Sequence, residues 1–163
     1  MNELSERFFK WAEDNGWNVE SSDEKHELPK KITERYRFIP SDWIDFVQCF
    51  KLISNGADNI WFQLPGDFED RADDEGFRWN EFELISLEAA SDDKEWQNEI
   101  RGFWDNYLPV VMSVAGDYHY YAIGIRTGEI FEGWEPEFDD IEIVAPSFSD
   151  FIELIISGRI TLN

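Results

Sequence analysis

The chain has 163 residues, of which 36 are Asp or Glu and 14 are Lys or Arg, a formal net charge of −22. That excess argues against nucleic acid and anionic membranes as partners, because binding their phosphates takes clustered cations, and it favours a basic partner. At 42% hydrophobic and 17% aromatic residues the chain is too apolar for a disordered acidic tail, and its length suits one domain spanning residues 1–163.

In chain order, the pattern predicts a first helix from about Glu3 to Asn15. Leu4, Phe8, Trp11 and Ala12 form its stripe, and Gly16 ends it. Asn18 to Glu27 is polar and reads as a loop. Leu28-Pro29 opens a mixed segment that closes at Ile39-Pro40. A second helix is expected from Ser41, its cap, with Trp43, Phe46, Val47, Phe50 and Ile53 on one face and Asn55-Gly56 as its stop. Ile60 to Leu64 reads as a strand. So does Trp79 to Leu87, where Phe82 and Leu84 alternate with Glu81 and Glu83. Ser91 is the expected cap of a third helix carrying Trp96, Ile100, Phe103, Trp104 and Tyr107, which Pro109 stops.

The C-terminal half reads as a meander. Val110–Ala115 turns at Gly116-Asp117 into Tyr118–Ile125, Thr127-Gly128 turns the chain into Glu129–Trp134, and Ile141–Ala145 follows. A last helix begins at Ser147, where Ser147 and Asp150 form a capping pair, with Phe148, Phe151, Ile152 and Ile155 as its stripe before Gly158. Helices bracketing such a meander predict an α+β fold with a mixed or antiparallel central sheet.

Little in the sequence points to catalysis. The single Cys49 rules out an internal disulfide and a multi-cysteine zinc site, and its place beside the second helix's stripe suits a small core residue. His26 lies in the polar loop. His119 sits between Tyr118 and Tyr120, where local packing is its expected role. The acidic run Asp67, Glu69, Asp70, Asp73, Asp74 and Glu75 does not match a calcium-binding loop: starting from Asp70, Ala72 falls at position 3 and Gly76 at position 7. Among 36 acids, no pair singles itself out for glycoside chemistry. No catalytic residue, metal or cofactor is expected. The N-terminus is acidic without an apolar core, and no apolar run is long enough to span a bilayer, so a cytoplasmic protein is expected.

The second acidic concentration is more informative. Glu135, Glu137, Asp139 and Asp140 interleave with Trp134 and Phe138. Charge that steers encounter, around aromatics that hold the complex, is how protein interfaces are built. These six residues and the run from Asp67 to Glu75 are the candidate partner-binding residues. The alternative is a solvated loop whose aromatics point into the core.

The order of motifs resembles the SUKH superfamily, the Smi/Knr-like group. The resemblance rests on Ile39-Pro40-Ser41-Asp42-Trp43-Ile44-Asp45-Phe46 running to Asn55-Gly56, and on Leu108-Pro109-Val110-Val111 with the Gly116-Asp117 turn. It continues in Gly128-Glu129-Ile130-Phe131 and in Ala145-Pro146-Ser147-Phe148-Ser149-Asp150-Phe151-Ile152, so that it spans about residues 28–156. Trp43 stands where the family usually has tyrosine, and the insertion from Asp67 to Glu75 has no counterpart. The resemblance implies a central sheet flanked by helices. It also implies a non-enzymatic role: an immunity protein neutralising a cognate toxin with a basic surface, such as a nuclease, or a regulatory scaffold like the family's cell-wall branch.

Overall fold

The computed structural model describes residues 1–70 and 76–163. Helix α1 (Glu3–Asp14) starts where the Asn2 side chain accepts the Ser5 N–H at 2.8 Å, and it buries Phe8 and Ala12. Gly16, in the left-handed region, turns the chain directly into strand β1 (Asn18–Ser21), within the segment expected to be a loop. β1 is hard to see in sequence because only Val19 is even half-buried. A polar strand is what an exposed sheet edge tolerates best.

After α2 (Lys30–Arg35), helix α3 covers only Ser41–Val47, and Phe50–Ser54 is strand β2, where a continuous helix to Ile53 was expected. Phe46, Val47, Phe50 and Ile53 all enter one core, so helical spacing and a helix-to-strand transition predict the same buried set. Pro40, not Ser41, occupies the cap position of α3. The nearby carboxylate of Asp42 accepts the Trp43 N–H with one oxygen. With the other it accepts the Ser149 N–H and Oγ–H at 2.9 and 3.0 Å, tying α3 to the start of the last helix.

Strand β3 (Ile60–Phe62) leads into one 3-10 turn, Pro65–Phe68. The next element, α4 (Glu81–Ala89), is a helix where a strand was expected. The alternation of Glu81, Phe82, Glu83 and Leu84 suggested a strand, but Glu, Leu and Ala are strong helix formers. Wound into a helix, Glu83 is buried and reaches Arg35, whose guanidinium lies 2.6 Å from its carboxylate. Helix α5 (Lys94–Asn106) is capped by Asp93, which accepts the Trp96 N–H at 3.0 Å, rather than by Ser91. Its stripe is Ile100 and Trp104. Trp96 is exposed, and Tyr107 already belongs to strand β4 (Tyr107–Ser113). Pro109, expected to stop that helix, lies inside β4, where the register with its neighbour shifts between Pro109 and Val111. A bulge of this kind is where a strand can hold a residue without an N–H.

Strands β5 (His119–Gly124), β6 (Ile130–Trp134) and β7 (Glu142–Ala145) and helix α6 (Phe148–Ile156) follow close to the expected bounds. Ser147 caps α6, accepting the Asp150 N–H at 3.1 Å. The seven strands pair antiparallel in chain order from β1 to β7. The architecture is α+β, as the meander implied.

The pleat sends alternate residues to two cores. Tyr121 and Ile123 of β5 join Phe8, Phe46, Phe62 and Phe151 beneath α1, α3 and α6. Tyr120 and Ala122 join Phe82, Trp104 and Phe138 beneath α4 and α5. Gly133 on β6 is needed where it stands, since the Tyr120 hydroxyl lies 2.7 Å from where its Cβ would be. Among the described residues no helix is long and apolar enough to cross a membrane.

Candidate partner-binding surface

The two acidic stretches are built differently. In the first, Asp73, Asp74 and Glu75 lie outside the described residues. Asp67 closes the 3-10 turn by accepting the Leu64 N–H at 2.7 Å. Asp70 pairs with Lys31 at 2.6 Å, and Glu69 is exposed. Asp67 therefore serves local structure first, whereas Asp70 is exposed and carries a surface ion pair. The calcium-loop reading falls in part on positions 71–75, outside the described residues.

The second stretch forms a site. Phe138, expected as a partner contact, is a core residue, 6% exposed. Its ring stacks on Phe82 at 4.7 Å, and its carbonyl accepts the Tyr120 hydroxyl. This plug pulls the middle of the 135–141 loop inward. Glu135 fixes one end, its N–H donating to the Tyr118 carbonyl and its carboxylate accepting the Tyr118 N–H, both at 2.9 Å. The Asp140 N–H closes the other end onto the Glu137 carbonyl at 3.0 Å.

With its apolar side chain buried, the loop turns its carboxylates outward. Trp134, Glu135, Pro136, Glu137, Asp140 and Glu142 line a notch of about 210 Å³, and Asp139 is exposed on the same loop. Trp134 is 43% exposed, so one large aromatic remains available beside the acids. Among the described residues, the Lys and Arg side chains that form ion pairs are Arg7, Lys10, Lys30, Lys31, Arg35 and Lys51. None of these pairs involves Glu137, Asp139, Asp140 or Glu142. Among the described residues no cation pairs with these acids, so the notch faces solvent with its negative charge uncompensated by them, the condition for steering a cation toward it.

Beside Trp134 lies a second groove of about 720 Å³ with a mixed lining, Asn55, Asn59, His119 and Glu132 alongside Ile60 and Leu162. His119 meets the edge of Trp134 at 5.3 Å and approaches the Glu132 carboxylate at 3.2 Å, the local packing its neighbours implied. Burial, reinforced by Glu132, holds the Tyr121 phenol well above its ordinary range. This cluster orients Trp134 from beneath and was not foreseen as a unit. Its signal was the period-two register that places His119 opposite Trp134 and Tyr121 opposite Glu132. Among the described residues, no group of three or more His, Cys, Asp or Glu side chains is placed to hold a metal ion.

No family model, curated protein or solved structure matches the chain.

Proposed function

We propose that the protein is a non-enzymatic, SUKH-like immunity protein of the bacterial cytosol that binds a cognate toxin domain through the Trp134 notch. The observation that carries this reading is the uncompensated acidic rim around one exposed tryptophan. A nuclease toxin presents a basic groove to phosphate, and an acidic protein competes for that groove electrostatically. Long-range attraction raises association rates roughly 10- to 10³-fold at low salt and is screened beyond about 8 Å at physiological ionic strength. Trp134 then supplies the desolvated contact that slows dissociation.

The test is co-expression with the toxin encoded beside the gene. Protection and a stable complex are expected, and a toxin that stays lethal and unbound sinks the reading. A neighbouring gene for a cell-wall or stress-signalling component, with no toxin beside it, would favour the regulatory scaffold instead.

A further inference from the structure

The strand next to the notch has an unusual edge. β7 is the last strand of the sheet, and among the described residues the backbone of 141–146 hydrogen-bonds to β6 alone. A free edge presents a row of N–H and C=O groups to any extended chain, and proteins blunt such edges with lysine, proline or cover. The opposite edge follows that rule. β1 is polar, its Glu20 pairs across to Lys51 at 3.1 Å, and its half-buried Val19 packs on the core.

β7 does not follow it. Ile143 is 59% exposed at the middle of the strand. Opposite it in register stands Phe131, whose ring contacts Tyr107 at 5.2 Å, and Tyr107 stacks on Phe103 at 4.6 Å. A half-buried aromatic row therefore runs across the sheet and ends at the exposed isoleucine on the unpaired edge. On the other face of the same strand, Glu142 joins the acidic notch.

We propose that β7 is a docking edge for an extended basic segment of the partner, which adds as an eighth strand. The proposal deepens the partner-binding reading given above and rests on it. The pleat of β7 sets the chemistry of the occupant. Side chains on one face of the added strand meet Ile143 and are apolar. Those on the other face meet Glu142 and, beyond it, Glu137 and Asp140, and are Lys or Arg. The obvious competing occupant, a second copy of this chain, would bring two bodies of charge −22 together, so charge selects against it.

The test uses the ¹⁵N-labelled full chain and a capped heptapeptide alternating lysine and valine. Amide shifts are expected to concentrate at 141–145 and at Phe131. N-methylating the peptide nitrogens on its β7-facing side weakens binding about tenfold or more, because ladder hydrogen bonds are lost. Methylating the other set changes affinity by less than about twofold. Ile143→Lys, a substitution at an exposed position, also weakens binding about tenfold, and a glutamate-for-lysine peptide does not bind. Shifts scattered over the acidic surface, equal loss from both methylated sets, no binding at about 1 mM, or a dimer formed through β7 would each overturn the proposal. The two readings fail separately. A toxin that is neutralised while the peptide ignores β7 removes strand addition and leaves immunity standing. A peptide that adds to β7 while no toxin is neutralised does the reverse.

Discussion

Phe138→Ala separates a core residue from an interface residue. The ring is 6% exposed, stacks on Phe82 at 4.7 Å and lies 6.1 and 6.3 Å from Tyr120 and Trp104. Removing a buried phenylalanine costs about 3–5 kcal/mol. The lower end applies here, since Phe138 sits at the rim of its core and the loop above can partly collapse. Against a typical total of about 5–15 kcal/mol, about 3 kcal/mol is a large share. With a urea slope of about 2 kcal/mol per M, the unfolding midpoint falls by about 1.5 M. Glu137→Ala, one residue away and exposed, moves stability by no more than about 0.5 kcal/mol. The assay is equilibrium urea unfolding followed by circular dichroism, with the slope required to stay constant. A midpoint shift for Phe138→Ala below about 0.5 M would refute the placement of this ring, because a solvent-facing phenylalanine leaves no cavity.

Further outcomes follow from the same packing. Tyr120→Phe strands the buried Phe138 carbonyl without its donor and costs about 1–3 kcal/mol, non-additively with Phe138→Ala. Burial first of all raises the phenols of Tyr36, Tyr120 and Tyr121 well above their ordinary range. Each ionises later in the folded chain than in the unfolded one. Their contribution is therefore whole below about pH 10 and is lost as pH rises from there toward the raised folded values. Stability should fall by about 1.4 kcal/mol per pH unit for each, so Tyr121→Phe should flatten the alkaline slope of the urea midpoint by about a third. Glu83→Ala leaves Arg35 partly buried and short of its 2.6 Å partner, with Asp105 remaining at 2.9 Å. A loss of about 2 kcal/mol is expected by the same unfolding assay, below the figure for a fully buried pair because Arg35 retains some solvent.

Legibility in the sequence divided along physical lines. Elements with their own start and stop chemistry could be read directly: α1 with its terminal glycine, α6 with its serine cap, and the meander with its glycine turns. The misread elements were those where two structures bury the same residues. The stripe from Trp43 to Ile53 holds for one long helix and for α3 followed by β2, because both feed one core. In α4, the alternation across Phe82 hid a helix whose buried acid makes sense only once Arg35 arrives from α2. β1 had no apolar signature because an edge strand needs none. At the site, the acids and Trp134 were legible as composition. The inward turn of Phe138 and the bare edge of β7 depend on which strands become neighbours, and no local pattern records that.

The most direct test of the account measures association of the neighbouring toxin domain with this protein across ionic strength, for the native chain and for Glu137→Gln/Asp140→Asn/Glu142→Gln. A native association rate that falls steeply with added salt is expected. The variant should fold normally, associate about tenfold more slowly at low salt and lose most of the salt dependence. A rate indifferent both to salt and to neutralising those three carboxylates would contradict the account.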